Sequence, residues 1–499
     1  MKRLITAKQM KHLDALCTSE AGISGLLLME NAALEAVHAM EQQFGRLGGR
    51  QFIIVCGKGN NAGDGFAMAR HLQNRGGRVE IVFLNDAEEL PPDARTNYDI
   101  AQNMGIIVSG EFPAELETDA VIVDAIFGIG VHGEITDRTY RSAIEWINQS
   151  GAAVVAVDIP SGIDADRGSV CGCAVKADLT CTFAFCKPGL AVLPGAAYAG
   201  KVAVCHISTP DYVANMEPAD TFLLEEDCLQ LPPVAPDANK GSMGRVCIVA
   251  GSTGMTGAAC LAAEAALRTG AGLIRVAAPR NLNAVLEVKL TEQMTVPLPA
   301  DHQLDESCLD MVRRQCRQSD VLLLGPGLGR APETERAVQQ VVRETEIPII
   351  LDADGINAVG RNINILQEKQ APVIVTPHPG EFARLTGLPV AEIQQDRLRL
   401  ARTFAVQYDV VLVLKGAKTI IAYPDGTVYV NPTGNPGMAT GGSGDVLAGI
   451  IAALEARGVP NSAAVGTFLH GMAGDRAAVE LGMAYMAPTD IIRHLSGCL

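Results

Sequence analysis

The stretch QFIIVCGKGNNAGDG, residues 51–65, joins a short apolar run to a loop of glycines, asparagines and one aspartate. The apolar run is typical of a buried parallel strand, and the polar loop begins where that strand ends. DAVIVDAIFG (residues 119–128) and AAVVAVDIPSG (residues 152–162) repeat the pattern. With helix-like segments between them, these runs predict a doubly wound α/β sheet. Such sheets bind ligands at the carboxyl ends of their strands.

The pattern breaks after Pro210 in a polar, proline-rich stretch that includes LPPVAPDANKG (residues 231–241). It restarts at GRVCIVAGS (residues 244–252) and again alternates strand-like and helix-like runs. We therefore predict two α/β domains, residues 1–220 and 221–499, with the boundary near Asp220. The two halves share no obvious period and are not a repeat.

Composition excludes several classes of protein. The chain of 499 residues has 48% hydrophobic residues, 4% aromatic residues and a formal charge of −16. The hydrophobic content predicts a globular protein. The negative charge argues against a general nucleic-acid binder, and the low aromatic content argues against stacking on bases. The first residues carry charges throughout, so we expect no signal peptide. The apolar runs are short and interrupted, so we expect no membrane span. We expect a cytoplasmic protein with reduced cysteines.

Four cysteines lie close together in the sequence, at Cys171, Cys173, Cys181 and Cys186. Four thiolates can hold zinc. Their spacing fits no common zinc pattern, and two of them flank the apolar run TFAF. Ordinary packing is the favoured interpretation.

Three strand ends are expected to form a first site. Adjacent parallel strands would bring Asp64, Asp124 and Asp158 to one rim of the sheet. The glycines of the loop after residue 56 suit an anion cradle built from backbone N–H groups. A strand-to-helix turn with asparagine caps is the structural alternative.

A second glycine loop, TGGSGDVLAGI, precedes an apolar helix, and Asp445 directly follows the glycines of TGGSG. N–H groups from Gly441 to Gly444 and the helix dipole would hold a transferred phosphoryl group, with Asp445 as the base. We expect the dipole to keep that carboxylate ionised. The alternative is that Asp445 only caps the helix. Asp352, at the end of an apolar run, is expected to cap the next helix or to support a metal.

The motifs GxGNNxGDG, VDAxFGxGxxG and VDIPSGIDADxG resemble the N-terminal domain of bifunctional NAD(P)H-hydrate repair enzymes; Ala62 replaces a usual glycine. The resemblance implies a Rossmann-like epimerase for R- and S-NAD(P)HX, the hydrated forms of the reduced nicotinamide nucleotides. It implies proton transfer by Asp158 and a K⁺ site at Asn61, Asp124 and Ser161. The residues implied to bind the dinucleotide are Asn60, Asn61, Ala62, Gly63, Asp64, Gly128, Ile129, Gly130, Val131, His132, Gly133 and Glu134.

In the second half, KGSMGRVCIVAGS, TPHPGEFARL, KGAKT and NPGMATGGSGDVLAGIIA resemble the ribokinase-like NAD(P)H-hydrate dehydratases. The resemblance implies that ADP or ATP, with Mg²⁺, phosphorylates the hydroxyl of S-NAD(P)HX and that loss of phosphate restores NAD(P)H. It implies catalysis by Asp445 and hydrate contacts at Ala258, Gly327, His378 and Asp445. The residues implied to bind the adenine nucleotide are Lys415, Gly416, Ala417, Lys418, Thr419 and Gly444.

Two alternatives stay open at this point. The second half alone also suits a small-molecule kinase of the thiazole or hydroxymethylpyrimidine type, and the first half also suits a module that only binds a nucleotide or a protein. The preference for ADP or ATP and for NADHX or NADPHX is not readable from the residues. We expect these small molecules as binding partners, and neither nucleic acid nor a membrane. We also expect the chain to form a homo-oligomer.

Overall fold

The structure, a computed structural model, describes residues 1–498. It divides into two compact units, one comprising Lys2–Thr221 and the other beginning at Phe222. Each unit is an α/β structure built on a largely parallel sheet, which confirms the predicted fold class.

The first unit is built from short strands joined by helices, as the alternating runs predict. Its strands are β1 (Lys2–Arg3), β2 (Gln51–Cys56), β3 (Arg78–Phe83), β4 (Ile107–Ser109), β5 (Val121–Ala125), β6 (Ala153–Val157), β7 (Leu179–Phe183) and β8 (Lys201–Cys205). Its helices are α1 (Ala7–Ala21), α2 (Gly25–Phe44), α3 (Asn60–Asn74), α4 (Pro92–Asn103), α5 (Arg138–Gln149), α6 (Pro188–Ala191), α7 (Gly195–Tyr198) and α8 (Asp211–Ala214), with a 3₁₀ turn at Ala87–Glu89.

The sheet of the first unit has the order β4-β3-β2-β5-β6-β7-β8, and its strands run parallel. The chain winds outward from β2 to β4, then returns to pair β5 with β2 and winds the other way. The switch point therefore lies between β2 and β5, where the loops after Cys56 and Ala125 leave the sheet side by side. A crevice at this point is the expected ligand site of a doubly wound fold.

Apolar clusters cover both faces of this sheet, as a parallel sheet requires. Phe52, Phe66 and Val37 belong to the cluster on the face of α2 and α3, whereas Ile53 and Ile144 belong to the cluster on the face of α5. The cysteine group divides between them, with Cys181 in the first cluster and Cys171 in the second. Both thiols serve as small apolar side chains of the core, which confirms the packing interpretation.

The second unit repeats the construction at greater length. Its strands are β9 (Thr221–Leu223), β10 (Arg245–Val249), β11 (Leu273–Pro279), β12 (Met294–Leu298), β13 (Val321–Leu324), β14 (Ile349–Leu351), β15 (Val373–Val375), β16 (Val411–Leu414), β17 (Ile420–Ala422) and β18 (Val428–Val430). The helices are α9 (Thr256–Arg268), α10 (Asn283–Lys289), α11 (Leu309–Cys316), α12 (Pro332–Glu344), α13 (Asp354–Gly360), α14 (Ile365–Glu368), α15 (Pro379–Thr386), α16 (Val390–Gln395), α17 (Arg397–Tyr408), α18 (Ser443–Ala456), α19 (Ser462–Leu481) and α20 (Pro488–His494). Short 3₁₀ turns occur at Glu226–Cys228, Arg280–Leu282, Glu306–Cys308, Pro436–Met438 and Leu495–Gly497.

Strands β18-β17-β16-β15-β14-β13-β10-β11-β12 lie in this order, with β9 beside β18. The pairs from β12 to β16 are parallel, whereas β16, β17 and β18 pair antiparallel. Strands β16 and β17 form a hairpin. Its connecting loop, Lys415–Thr419, is called the KGAK loop and lies at the carboxyl end of β16. Helices α9 and α18 pack against one another. Their backbones approach so closely at Ala262 and Gly449 that a Cβ at Gly449 would not fit.

Among residues 1–498, no helix is long and apolar enough to cross a membrane.

Candidate functional sites

The first unit contains a cavity of about 740 Å³ at the switch point. This volume is in the range of small-molecule and cofactor sites. The loops after β2, β5 and β6 form part of its wall, and helices α1 and α2 form another part. Asp64 and Asp158 both line it, as predicted, whereas Asp124 is fully buried beneath it.

The glycines of the first loop are present for a steric reason that differs from the predicted one. A Cβ at Gly57 would overlap the carbonyl oxygen of Ile126. A Cβ at Gly65 would lie 2.7 Å from the Cβ of Ala125, and one at Gly63 would lie 2.7 Å from the Met29 side chain. Only Gly59 faces open space, at the start of α3. Close packing of the loop and α3 on the sheet, rather than an anion cradle alone, requires glycine here.

Asp158 is held rigidly in the cavity wall by the following strand. It adopts a left-handed backbone conformation with φ of +66°. Its Oδ1 accepts hydrogen bonds from the Phe183 N–H at 3.1 Å, from the Thr182 hydroxyl at 3.2 Å and from the Lys187 ammonium. A strained backbone of this kind persists only where its surroundings enforce it, and it is often found at functional sites.

Lys187 is a cavity residue that the motifs did not lead us to expect. Its side chain is fully buried, lines the same cavity and also donates to the Thr182 hydroxyl at 3.0 Å and the Phe183 carbonyl at 2.9 Å. A buried ammonium needs a carboxylate and further acceptors, and here Asp158 is that carboxylate. The sequence signal was a lysine four residues after a buried strand, in TFAFCKPGL (residues 182–190).

Besides Asp158, three carboxyl groups line the cavity, those of Asp14, Asp64 and Asp93. Burial raises the pKa of Asp14 on α1 to about 6, with Asp158 adding to the effect and Lys187 opposing it. Burial also raises the pKa of Asp64 well above its usual range, and the negative charges of Asp158 and Asp14 act in the same direction. Asp14 was not predicted, because only the tertiary structure brings α1 to this cavity. The site thus combines two carboxyl groups whose pKa burial raises, Asp14 and Asp64, with one, Asp158, that is paired with an ammonium.

The predicted potassium ligands meet beside the cavity. The Ser161 hydroxyl donates to Asp124 Oδ1 at 2.6 Å, the Ser161 N–H donates to Asp124 Oδ2 at 2.8 Å, and the Phe127 carbonyl lies 3.3 Å from the same hydroxyl. The Asn61 side chain lies against Gly128, and its amide nitrogen has no hydrogen-bond partner within the described chain. Burial raises the pKa of Asp124 to about 6, since only neutral groups donate to it. These oxygens and an uncompensated buried carboxylate fit a hard monovalent cation.

The residues implied to bind the dinucleotide do not all reach the cavity. Asn60, Asn61, Asp64, Gly128, Ile129, Gly130 and Val131 line it. Ala62 and Gly63 are buried in the first turn of α3 and support the wall from behind. His132, Gly133 and Glu134 lie outside the lining, and the His132 ring contacts Asp164 at 3.2 Å.

The second unit contains a cavity of about 700 Å³. It is formed at the carboxyl ends of β14, β15 and β16 and at the start of α18. The predicted residues Lys415 to Thr419, His378, Gly444 and Asp445 line it together. Ala258 and Gly327 do not; they pack against each other at the switch point between β10 and β13, where a Cβ at Gly327 would lie 3.2 Å from that of Ala258.

The GxGD loop turns into α18 as the motif predicts. Gly442 precedes the helix with φ of +100°, and Asp445 stands in its first turn. A Cβ at Gly444 would lie 3.2 Å from the Lys415 ammonium, so the helix start and this cation face one another. Backbone N–H groups, a helix dipole and an ammonium at one point constitute an anion site.

Asp445 is not a helix cap, because its carboxylate accepts no hydrogen bond from residues 1–498. The expectation that the dipole keeps it ionised is wrong. Burial raises the pKa of Asp445 to about 7, and the nearby carboxylates of Asp352, Asp354 and Glu381 outweigh the effect of Lys415. A group that titrates near neutral pH is well matched to work as a general base.

Asp352 anchors Lys415 and does not cap α13, which corrects the capping prediction. Its Oδ1 accepts from the Thr376 hydroxyl at 2.6 Å and from the Lys415 ammonium at 2.9 Å. Its Oδ2 is buried and has no hydrogen-bond partner in the described part of the chain. Although burial opposes the charge of Lys415, the carboxylates of Asp352 and Glu381 raise its pKa. A cation or a ligand donor would satisfy this orphaned oxygen.

His378 has a structural role as well as a place in the cavity. Its Nδ1 accepts from the N–H groups of Gly380 at 3.0 Å and Glu381 at 3.3 Å, and so caps α15. Burial and the charge of Lys415 lower the pKa of His378, which keeps the ring neutral. The Lys418 side chain is also held in place, because its ammonium donates to the Pro432 carbonyl at 3.1 Å.

His470 on α19 lines the second cavity and was not predicted. Its Nε2 lies 3.4 Å from the Ser443 hydroxyl at the start of α18. Burial lowers the pKa of His470 to about 4, so the ring is neutral. A histidine within an apolar helix gives no sequence signal that separates a site residue from a core residue.

Comparison with known proteins follows the same division. Residues 25–189 match the family model described as YjeF-related protein N-terminus, and residues 246–496 match the model described as NAD(P)H-hydrate dehydratase. A protein of Moorella thermoacetica, named bifunctional NAD(P)H-hydrate repair enzyme Nnr, is 43% identical over 99% of this chain and 96% of its own length. The chain belongs to the bifunctional NAD(P)H-hydrate repair enzyme family.

Other members of the NAD(P)H-hydrate repair enzyme family match as completely. The enzyme of Coxiella burnetii is 38% identical over 99% of both chains, and that of Thermofilum pendens is 37% identical over 100% of this chain and 96% of its own. The resemblance inferred from the motifs is confirmed. The kinase alternative does not account for a match that includes the first unit.

Solved structures match the second unit of this family member. A ribokinase-like superfamily protein of Enterococcus faecalis is 29% identical, with a TM-score of 0.50, over 56% of this chain and 95% of its own. The ribokinase-like fold is thereby confirmed. An ADP/ATP-dependent NAD(P)H-hydrate dehydratase of Bacillus subtilis, co-crystallised with ATP and Mg²⁺, is 32% identical over 97% of its chain, with a TM-score of 0.48.

Proposed function

We propose that this chain repairs hydrated nicotinamide nucleotides in two steps. The first unit epimerises R- and S-NAD(P)HX, and the second dehydrates S-NAD(P)HX to NAD(P)H at the expense of ADP or ATP. The observation that carries this conclusion is the 43% identity with a bifunctional repair enzyme over 99% of the chain. Each unit supplies a cavity lined by acid–base or phosphate-binding groups.

Epimerisation inverts a hydroxyl-bearing ring carbon. We assign Asp158 as the base, because its carboxylate lines the cavity and is fixed there by hydrogen bonds from Lys187, Thr182 and Phe183. Asp14 and Asp64 hold protons more readily and are suited to protonate the departing hydroxyl group. Water leaves one face of the ring and adds to the other while Asp158 takes a proton, so no atom is gained or lost.

We propose K⁺ as the cation of the first unit. Asn61, Asp124 and Ser161 would hold it, and the Phe127 carbonyl supplies a further oxygen close to the Ser161 hydroxyl. A bound cation would neutralise the buried Asp124 and stiffen the loop from Gly128 onward that forms the cavity wall. Replacing K⁺ by tetramethylammonium in the assay should then lower the epimerase rate and leave dehydration of the S epimer unchanged.

Dehydration begins with transfer of a phosphoryl group to the hydrate hydroxyl. Asp445 accepts the hydroxyl proton, while the N–H groups at the start of α18 and the Lys415 ammonium stabilise the transferred group. The hydroxyl oxygen bonds to phosphorus as the bond to the nucleotide breaks. Phosphate then leaves with loss of a ring proton, which restores the dihydronicotinamide. Ala258 and Gly327 lie outside the cavity lining, and we propose that the hydrate extends to them.

Mg²⁺ fits the second cavity on the chemistry of its donors. Asp352 offers a buried carboxylate oxygen without a hydrogen-bond partner among residues 1–498, and a Glu381 carboxylate oxygen lies 4.0 Å from the Lys415 ammonium. We propose that these two carboxylates hold Mg²⁺, directly or through water, and that the ion neutralises phosphate charge when bound. We place the reaction in the cytoplasm, where these nucleotides occur, and propose a homo-oligomer.

The purified chain should be incubated with an equilibrium mixture of NADHX epimers, Mg²⁺, K⁺ and either ADP or ATP. Recovery of NADH absorbance should approach completion, and omission of the nucleotide should abolish it. Recovery that stops at the S fraction would contradict the epimerase assignment. Phosphorylation of thiazole or pyrimidine alcohols instead of NADHX would contradict the dehydratase assignment.

A further inference from the structure

The KGAK loop, Lys415–Thr419, presents unpaired backbone donors. It joins β16 to β17 and forms part of the wall of the second cavity. The N–H groups of Gly416, Ala417 and Lys418 donate to no acceptor among residues 1–498. Consecutive free N–H groups of this kind form a concave anion site.

Arg397 holds the opposite side of the same loop. Its guanidinium donates to the Ala417 carbonyl at 2.8 Å and to the Leu414 carbonyl at 3.2 Å. The Thr419 hydroxyl holds the Gly416 carbonyl at 2.8 Å. In a trans peptide the C=O and N–H bonds point in opposite directions. Fixing the Ala417 carbonyl toward Arg397 therefore turns the Lys418 N–H away from it.

The setting of Arg397 is costly for a residue with only a packing role. It is the first residue of α17, it is 4% exposed, and it has no carboxylate partner among residues 1–498. Its Nε has no hydrogen-bond partner, and burial lowers its pKa to about 10. A cation at a helix start also opposes the helix dipole. An anion bound at the loop would supply the missing negative charge.

We propose that Arg397 is a positioning residue for the adenine nucleotide: it orients the N–H groups of the KGAK loop from behind, and its charge stabilises the phosphates bound in front. Arg397 does not itself line the cavity, so it acts through the loop. The inference rests on the proposed function in one respect, namely that the nucleotide binds at this loop.

Three variants of the full chain test this role. Arg397→Met removes the charge and both donors at similar volume, and Arg397→Lys keeps the charge with fewer donors. Arg399→Met is the matched control, because Arg399 lies in the same helical turn with a side chain 60% exposed and pairs only with Asp396. Calorimetry gives the Kd for ADP with Mg²⁺ in the absence of hydrate, and kinetics give KM for ADP and for S-NADHX.

Arg397→Met should raise the Kd and KM for ADP about 10- to 100-fold and leave KM for S-NADHX within about twofold. Arg397→Lys should lie between Met and wild type, and Arg399→Met should match wild type. Unchanged ADP affinity in folded Arg397→Met would overturn the proposal, as would an equal rise in both KM values without recovery in Arg397→Lys.

If Arg397→Met does not fold, Arg397→Lys decides: an ADP Kd raised about 3- to 10-fold at an unchanged melting temperature supports the role, and an unchanged Kd refutes it. Failure of the proposed function is separable from these outcomes. A wild-type chain that binds ADP but does not dehydrate S-NADHX refutes the function, while the effect of Arg397 on ADP binding remains measurable.

Discussion

At the scale of single residues, both sites depend on carboxyl groups whose surroundings differ. Asp158 is paired with a fully buried lysine, whereas Asp445 accepts no hydrogen bond within residues 1–498 and stands among other carboxylates. The same side chain therefore has an ammonium as its close partner in one unit, whereas in the other burial and nearby carboxylates raise its pKa to about 7. Substitution by asparagine tests the two roles separately.

Asp158→Asn should lower R-to-S conversion by about 10²–10⁴ in rate, the usual scale for an acid–base residue. Dehydration of the S epimer should remain near normal. The substitution also leaves the Lys187 ammonium buried without its counter-ion, which costs about 3–5 kcal/mol. The double variant Asp158→Asn/Lys187→Met removes that charge, so it should melt closer to wild type and still lack epimerase activity. Wild-type consumption of the R epimer by the single variant would contradict the assignment.

Asp445→Asn should retain nucleotide binding but lose dehydration by two or more orders of magnitude, roughly, because the hydroxyl nucleophile loses its base. ADP-induced thermal stabilisation checks binding, and NADH recovery from S-NADHX checks catalysis. Epimerase activity in the same preparation is the control. An Asn variant that dehydrates S-NADHX at the wild-type rate would refute the assignment of Asp445 as the base.

The dehydratase should lose activity as the pH falls through about 7, the pKa to which burial raises Asp445. The ionised form is the base, so activity is present above this pH and falls about tenfold per unit below it. The pH profile of kcat/KM for S-NADHX measures the midpoint. The residual activity of Asp445→Asn should lack this transition; an identical profile in that variant would assign it to another group.

At the scale of elements, the loop after β2 is positioned by close packing on its neighbour. Gly57→Ala places a methyl group against the Ile126 carbonyl, so the segment from Ile126 to Gly128 must move. We expect a loss of about 1–3 kcal/mol in stability of the first unit and a large loss of epimerase activity. Gly59→Ala is the matched control for stability, because a Cβ there meets open space. Thermal melts compare the two variants, because Gly59 itself lines the cavity; equal melting temperatures would contradict the steric account.

The elements were largely predictable from residue patterns. The apolar runs at 52–56, 121–125 and 153–157 are buried strands, and GLLLMENAALEAVHAM is helical. The reason for individual glycines was not predictable, because Gly65 is constrained by Ala125, a residue 60 positions away in a neighbouring strand. Local patterns carry no information on such contacts.

At the scale of the whole molecule, each unit has its own apolar clusters, and strands β2 to β8 of the first unit form a separate sheet. Chains divided near Asp220 should therefore each fold. The fragment from Asp220 to Leu499 should dehydrate only the S form and stop at about half of an epimer mixture, apart from slow spontaneous epimerisation. The fragment from residue 1 to Asp220 should interconvert the epimers. Insoluble fragments on both sides would contradict the proposed domains.

The sequence by itself determined the α/β class, the two glycine loops, the family, and the residues Asp158 and Asp445 as candidates, because periodicity and motif spacing are local properties of the chain. Tertiary structure alone decided the rest. It brought Lys187 and Asp14 to Asp158, placed Asp352 and Glu381 around Lys415, and set Arg397 behind the KGAK loop. Burial and the distances between charges set a pKa and an ion pair, and both arise only when segments far apart in sequence pack together.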